Sequence, residues 1–403
     1  MHRDGYIKNL DGIRAIAIVM VMSYHANLTH FGWMGVQLFF VLSGFLITGI
    51  LWKEKFKTEP LSYRFKKFWV RRSLRIFPVY FGYLAFLGGT YLLFHFPSYY
   101  RTYIPYLATY TYNYTRTFPQ WQGNPLFTHL WSLSIEEQFY LLFPLIVLLL
   151  PEKLIRNFML LVIALAPLSR YLLGIYYKNR GLAPEVLADT IYWNTLSHLD
   201  AFFMGGIIPV LSLDKRIKKP EKILFISFLV ALAAGTVNFF LDTPPGTNYI
   251  NDLGYNHGLT RTYEYVWHYS LLNLFFASLI LTLVSRHALQ KLKGLRRLLE
   301  NRWLVSIGKV SYGMYLFHWA ILVYFYQRIL PGHTIYTRAL LFIPYVFLVY
   351  LFASLSFRFY ESYFIRLKDK LFIRGKKTVI PPDPAPTNFV NLLNEIPDGS
   401  NKN

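Results

Sequence analysis

The chain consists of repeated apolar runs near the length needed to cross a lipid bilayer, joined by polar connections. We identify ten runs, at residues 13–27, 33–52, 76–94, 130–150, 157–173, 198–211, 223–241, 268–285, 310–329 and 338–357. A helix needs roughly 20 predominantly apolar residues to span the hydrocarbon core. The chain has 54% apolar and only 16% charged residues. A soluble protein of this composition would have too little polar surface to stay dispersed in water. The pattern predicts an all-α integral membrane protein, a bundle of about ten transmembrane helices.

The placement of the basic residues predicts the orientation of this bundle. A net charge of +21 could suit a nucleic-acid partner, but here the basic residues lie between apolar runs. Residues 53–75 carry nine Lys/Arg, and residues 214–222, 286–302 and the segment from Arg358 are also basic. Such loops stay on the cytoplasmic side. Even numbers of spans separate them, so we expect both termini in the cytoplasm and no nucleic-acid partner.

Three segments fall outside the pattern of spans. Residues 103–114 are rich in tyrosine but, at about a dozen residues, too short to cross, so we expect an interfacial or re-entrant segment. Residues 360–377 form a basic amphipathic stretch suited to the inner membrane surface. The Pro- and Asn-rich residues 378–403 are predicted to be disordered. The membrane domain is therefore expected to comprise residues 1–377.

The first predicted span carries an ionisable residue at each end. Arg14 precedes the apolar run and His25 ends it, roughly 16 Å away at the helical rise per residue. Ionisable residues inside spans are rare and suggest function. Because an imidazole titrates near neutrality, His25 is our candidate general base. The alternatives are a histidine that only reaches the polar interface and, for Arg14, a charge that Asp11 neutralises.

A second group of candidates opens the fourth span, in the segment HLWSLSIEEQFYLLFP. Glu136 and Glu137 are costly in hydrocarbon unless they pair or face a cavity. We predict that Glu136 pairs with His25, fixes its tautomer and stabilises the imidazolium. Trp131 and Tyr140 offer aromatic surfaces on which a sugar could stack. The alternative is an interfacial Trp/Tyr belt with carboxylates at the same depth.

Arg72 and Arg75 end the first basic loop, directly against the third apolar run. A spacing of three residues places both guanidinium groups on one face of a helix. Because a guanidinium can bind phosphate in a bidentate manner, we predict a site for a phosphorylated ligand at the inner face. The alternative is the ordinary basic flank of a span.

Later spans offer further candidates for substrate binding. Asp200 opens the sixth span, and Ser311 and Tyr312 begin the ninth. The alternative for these spans is helix packing through small residues such as Gly205, with polar groups bonded between helices. His318 is one polar group on an aromatic helix, and we expect a structural role for it. The chain has no cysteine, which excludes disulfides and thiolate metal sites, and we expect no metal ion.

Seven segments together resemble the membrane acyltransferase-3 family, which modifies surface polysaccharides and other exported or extracytoplasmic acceptors. In chain order they are LDGIRAIAIVMVMSYH, GVQLFFVLSGFLI, RRSLRIFPVY, HLWSLSIEEQFYLLFPL, LDAFFMGG, GKVSYGMYLFH and YESYFIR. The ten-span count also agrees with that family's membrane domain. The resemblance implies an O-acetyltransferase of the polysaccharide type in the bacterial inner membrane, as for enzymes that act on O-antigen and other glycans of the cell envelope.

The resemblance also implies roles for individual residues. His25 matches the essential catalytic histidine that ends the family's first helix. Arg14, Arg72 and Arg75 match arginines associated with the acyl-CoA side, and Glu136 matches the glutamate of the WSLxxE pattern.

The sequence departs from the family pattern in two places. His198-Leu-Asp200 stands where we expect arginine before the aspartate. Some members carry a fused extracytoplasmic SGNH hydrolase-like domain, whereas only residues 378–403 follow the last basic stretch here. We therefore expect the membrane domain, or a separate partner, to meet the acceptor.

The expected reaction moves an acyl group, most simply acetyl, from cytoplasmic acyl-CoA to a hydroxyl of a sugar or glycolipid at the outer face. The three arginines would hold the CoA phosphates, and His25, oriented by Glu136, would take the hydroxyl proton. Ser43, Ser311 and Tyr312 are candidate oxyanion donors. The alternative is a proton-coupled transporter or flippase of a lipid-linked or polar substrate, with His and Glu as a proton relay. A non-catalytic membrane sensor is a third reading.

Overall fold

The computed structural model describes residues 7–118, 120–242, 252–255, 263–327 and 334–372, and the regular structure in these ranges is helical throughout. The α-helices are α1 (Lys8–His25), α2 (Met34–Lys55), α3 (Leu61–Phe94), α4 (Tyr100–Ala108), α5 (Pro125–Thr128), α6 (Trp131–Leu149), α7 (Glu152–Asn179), α8 (Pro184–Trp193), α9 (Leu199–Val210), α10 (Leu213–Arg216), α11 (Pro220–Asp242), α12 (Glu264–Val284), α13 (Arg286–Lys291), α14 (Lys293–Leu299), α15 (Arg302–Lys309), α16 (Ser311–Ile321), α17 (Ile335–Ser356) and α18 (Ser362–Phe372). Short 3-10 helices cover His30–Trp33, Tyr112–Thr117 and Thr195–His198, and π-helical turns cover Leu322–Gln327 and Phe357–Glu361.

Among the described residues, seven segments are long and apolar enough to cross a membrane. They are His30–Lys55, Leu61–Phe94, Pro125–Leu149, Glu152–Asn179, Pro220–Leu241, Glu264–Val284 and Ile335–Phe372. Each of the ten predicted spans falls on a helix, but three do not reach this standard. The reasons are that α1 carries three charged residues, and that α9 and α16 have only 12 and 11 residues. The structure thus supports a helical membrane protein, while ten crossings and cytoplasmic termini stay predictions.

Helix α2 is the central element of the bundle, because it packs against α1, α6, α9 and α12. Its closest approach is to α9, and two glycines make it possible. A Cβ atom on Gly44 would collide with the carbonyl of Phe202, and one on Gly205 would collide with the carbonyl of Val41. Small residues allow helix backbones to meet in this way. The packing role considered for Gly205 is confirmed.

A second close contact fixes the polar end of α1 against α14 and α15. A Cβ atom on Gly12 would collide with the backbone of Leu299, and one on Gly308 would collide with the backbone of Asp11. The first turns of α1 therefore lie directly on short basic helices. This contact fixes the position of Arg14 relative to the rest of the bundle.

The tyrosine-rich residues 103–114 pack on the start of α6 instead of forming a long helix. Their helix α4 has only 9 residues, which is too short to cross, as predicted. Gln138 on α6 donates a hydrogen bond to the carbonyl of Tyr110 at 2.7 Å. Part of the predicted amphipathic stretch forms α18, whereas residues 378–403 lie outside the described residues.

Candidate active site

His25 is the last residue of α1, and its ring faces neighbouring side chains of the protein. Its centroid lies 4.6 Å from that of Trp319 and 5.2 Å from that of His318, both on α16. The side chain is half-buried. The helix ends at this point because the chain turns at Asn27, which has a left-handed φ of 53° that asparagine tolerates. The imidazole is therefore held between two helices and stays partly accessible.

Two buried histidines extend this group. His318 lies with Nδ1 2.5 Å from the carbonyl oxygen of Tyr315, and its Nε2 has no hydrogen-bond partner among the described residues. The ring of His129 lies 5.0 Å from that of His318, and its Nε2 donates to the carbonyl of Leu316 at 3.2 Å. We call His25, His129 and His318 the histidine cluster.

A separate group of charged residues forms around Arg72. Its guanidinium carbon lies 3.9 Å from the ring centroid of Tyr140, a cation–π contact. Tyr140 donates a hydrogen bond to Ser43 at 3.0 Å, and Ser43 donates to Glu136 at 2.6 Å. Both Glu136 and Glu137 attract Arg72 electrostatically. Helix α6 thus places its two glutamates near an arginine of α3.

Arg75 occupies the other half of this charged group. Its charged neighbours are Arg14, Arg72, Asp11 and Glu361. Asp11 pairs with Arg14 at 2.5 Å, and Glu361 is only 7% exposed. The Arg75 side chain itself is exposed to solvent. We call the whole set the arginine–carboxylate cluster: Arg14, Arg72, Arg75, Asp11, Glu136, Glu137 and Glu361.

Helices α1 and α6 connect the two clusters. On α1, Arg14 belongs to the arginine–carboxylate cluster and His25 to the histidine cluster, 11 residues and about 16 Å further along. His129 lies two residues before the start of α6, and Glu136 follows it by seven residues, which is roughly two helical turns or about 10 Å. The two clusters therefore lie at different depths of one helix bundle.

Helix α16 also passes both clusters. Tyr312 lies near the charges of Glu136 and Glu137. One turn later, Tyr315 donates to the carbonyl of His129 at 2.9 Å and shares a 2.5 Å hydrogen bond with Ser132. His318 follows after another turn. Three-residue spacing puts these side chains along one side of the helix, so α16 provides a polar stripe between the clusters.

The structure assigns Glu136 a different partner from the predicted one. We expected it to pair with His25, but its carboxylate accepts a hydrogen bond from Ser43 and lies close to Arg72. The physical reason is its depth, because Glu136 lies two turns below His129 on α6, at the level of the arginines. The predicted Glu136–His25 pair is therefore wrong for this structure.

Other predicted substrate-binding residues are buried. Trp131 is 6% exposed, and one face of its ring stacks on Trp193 with centroids 5.8 Å apart and planes at 8°. Tyr140 is 2% exposed, with the Arg72 guanidinium over its ring. Neither aromatic ring presents an open face to a sugar, contrary to our expectation. Ser311 is also buried, at 5% exposure, and contact between any of these residues and substrate stays a prediction.

Asp200 joins three helices instead of facing either cluster. It is fully buried on α9 and forms an ion pair at 3.1 Å with Arg170 of α7. Ser270 and Asn273 of α12 also donate hydrogen bonds to it. These contacts explain Asp200 of α9 as a connection between helices.

Sequence reasoning did not single out Glu361 or His129, and it assigned His318 to structure alone. A signal existed for α16, since Tyr312, Tyr315 and His318 recur every three residues. The sequence does not say which helix faces that stripe. Within the described ranges, no group of three or more His, Asp or Glu side chains is arranged to hold a metal ion.

Comparison with known proteins gives consistent results. A family model described as "Acyltransferase domain" matches residues 7–358. The protein named "Putative O-acetyltransferase" of Staphylococcus aureus strain COL is 31% identical over 385 residues, which cover 89% of this chain and 57% of that protein. O-acetyltransferase OatA of S. aureus strain NCTC 8325 is 29% identical over 382 residues, which cover 90% and 58%. The chain thus spans less than three fifths of the length of these relatives. No solved structure matches the chain.

Proposed function

The chain belongs to the acyltransferase family whose domain model matches residues 7–358, and from this we propose that it is an integral membrane O-acetyltransferase. We propose acetyl-CoA as the donor and a hydroxyl of a glycan or glycolipid at the outer face as the acceptor. The observation that carries the proposal is the pair of clusters on shared helices. One cluster is rich in arginine, and the other contains imidazoles.

The arginine–carboxylate cluster would hold the CoA phosphates. Guanidinium groups bind phosphate through bidentate, charge-assisted hydrogen bonds. Asp11 would orient Arg14 before a donor arrives, through their ion pair at 2.5 Å. Arg75 is the most exposed of the three arginines and would meet the phosphates first.

At the histidine cluster, His25 would act as the general base for the acceptor hydroxyl. The hydroxyl oxygen attacks the thioester carbonyl carbon while its proton moves to the imidazole. The new ester C–O bond forms, the C–S bond breaks, and the departing CoA thiolate takes the proton from the imidazolium. The products are an acetyl ester and CoA thiol. The long, thin pantetheine arm would bring the thioester from the arginines to His25.

Labelled donor tests this function directly. Membranes containing the wild-type protein are incubated with [14C]acetyl-CoA, and label is counted in extracted glycans and glycolipids. We expect label with the wild type and background counts with His25→Ala. His287→Ala changes an exposed histidine on α13 and should behave as the wild type. Size-exclusion chromatography in detergent confirms that each variant is folded.

The same experiment separates the enzyme from its rivals. A transporter or flippase transfers no label to any extractable molecule, so an unlabelled wild-type extract would contradict the proposal. Label that persists in His25→Ala would leave the acyltransferase but remove His25 as its base. Mass spectrometry of the labelled glycans should show an increase of one acetyl group per modified hydroxyl.

A further inference from the structure

His318 lies against His25 with one ring nitrogen engaged and the other open. Its Nδ1 lies 2.5 Å from the carbonyl oxygen of Tyr315, so Nδ1 carries the proton and Nε2 presents a lone pair. The side chain is fully buried, and Nε2 has no hydrogen-bond partner among the described residues. Buried polar atoms are nearly always hydrogen-bonded, so an open one requires an explanation.

His198 shows how a structural histidine is bonded in this chain. It is also fully buried, but both of its ring nitrogens are engaged. Nε2 donates to the carbonyl of Tyr192 at 2.5 Å, and Nδ1 lies 3.0 Å from Nε2 of Gln37. Buried His129 also has a ring nitrogen, Nδ1, without a hydrogen-bond partner among the described residues, so an open nitrogen alone does not distinguish a functional histidine. In His318 it occurs beside the proposed base.

We propose that His318 positions His25, and that Nε2 of His318 accepts a hydrogen bond from the His25 ring N–H during the reaction. The two ring centroids lie 5.2 Å apart, with planes at 33°. An in-line N–H···N bond of ordinary length places two imidazole centroids about 5 Å apart. The ring separation therefore fits such a bond, which forms when the His25 N–H and the His318 lone pair align. This inference rests on the proposed function.

The bond would give His25 an orienting contact on α16, a role that Glu136 does not fill in this structure. A catalytic base is commonly oriented by a third group. Because the N–H of His318 is bonded to the Tyr315 carbonyl, the ring has only the Nε2 lone pair to offer to His25. Tyr345 of α17 donates to the backbone carbonyl of His318 at 3.0 Å and secures this part of α16. The lone pair would fix the His25 tautomer and stabilise the imidazolium as it forms.

Two amide substitutions separate positioning from structure. His318→Gln places an amide oxygen near the position of Nε2 and loses the Nδ1 anchor. His318→Asn keeps a donor near Nδ1 for the Tyr315 carbonyl but has no acceptor near His25. The assay is the initial rate of label transfer from saturating [14C]acetyl-CoA in membranes, per folded protein. We expect the Gln variant to be at least about tenfold faster than the Asn variant. The KM for acetyl-CoA should be unchanged in both, because the arginines lie at another depth.

A faster Asn variant, or equal rates in the two variants, would overturn the inference. A histidine that only anchors the helix depends on its Nδ1 donor, which asparagine keeps and glutamine loses. The same two substitutions at His198 serve as the matched control and should give equal rates per folded protein. A Gln-to-Asn rate ratio at His198 as large as the ratio at His318 would also overturn the inference. If neither variant at 318 folds, 3-methylhistidine at 318 blocks Nε2 and leaves Nδ1–H. Its loss of turnover supports the inference, and retained turnover overturns it. An inactive wild type would refute the proposed function itself, whereas an active wild type with equal variants refutes only the role of His318.

Discussion

The buried ion pair of Asp200 and Arg170 predicts a large loss of stability when one partner is removed. Asp200 accepts hydrogen bonds from Arg170 at 3.1 Å, from Ser270 at 2.5 Å and from Asn273 at 3.1 Å. Arg170 also donates to the carbonyl of Ser197 at 2.9 Å. Both charged side chains have 0% exposure. Asp200→Ala therefore leaves a buried cation without its counter-charge.

Breaking a buried pair in this way costs about 3–5 kcal/mol. At about 2 °C per kcal/mol for a large chain, the thermal midpoint should fall by about 6–10 °C. The double variant Asp200→Leu with Arg170→Met removes both charges and should recover at least half of that loss, since apolar replacement of a buried pair is often neutral. Thermal unfolding of the detergent-solubilised protein, followed by tryptophan fluorescence, measures both values.

Activity of the same preparations decides between a structural and a substrate-binding Asp200. The folded double variant should keep its turnover within about threefold of the wild type, because no transition-state contact is removed. A stable double variant without activity would show that Asp200 contacts substrate and would refute the structural reading. An unchanged midpoint in Asp200→Ala would refute the energetic argument.

Three further changes have defined outcomes. Arg72→Lys should raise the KM for acetyl-CoA about tenfold at unchanged folded yield, because an ammonium group lacks the planar fork and stacks poorly on the tyrosine ring beneath it; an unchanged KM would contradict donor binding there. Glu361→Gln should lower the KM for acetyl-CoA about threefold, because it removes a negative charge near Arg75, and the effect should be smaller at high salt. A raised KM would contradict the expected electrostatic effect. Gly308→Ala should cost about 1–3 kcal/mol, because its Cβ meets the backbone of α1, whereas Gly294→Ala, with open space around it, should not lower the thermal midpoint; equal midpoints would contradict the packing.

Helix positions were predictable from the sequence because apolar runs of membrane length have few alternatives. The ten runs each fall on a helix, and the short tyrosine-rich segment was correctly separated from them. The prediction of membrane spans was less complete where a helix is short or carries several charged residues. Helix α1 carries Lys8, Asp11 and Arg14, of which Asp11 and Arg14 form an ion pair and Lys8 is exposed.

Residue partners were harder to predict than residue importance. His25 and the three arginines fall into two clusters, as their positions on α1 and α3 suggested. Glu136 was assigned to the wrong cluster. Sequence spacing gives the position of a residue along its own helix, but not how far that helix is shifted along its axis relative to a neighbouring helix. His318 was underrated for a related reason: its open Nε2 is visible only when the bonds of its neighbours are known.

Donor binding and turnover, measured separately in purified protein, test the central claim that the two clusters have separate tasks. Binding of acetyl-CoA is followed by calorimetry, and turnover by release of CoA thiol in the presence of extracted membrane glycolipids. The account predicts that His25→Ala binds acetyl-CoA within about threefold of the wild type and loses turnover by about a thousandfold or more, whereas Arg75→Ala weakens binding at least about tenfold. Loss of acetyl-CoA binding in His25→Ala, or wild-type binding in Arg75→Ala, would contradict it.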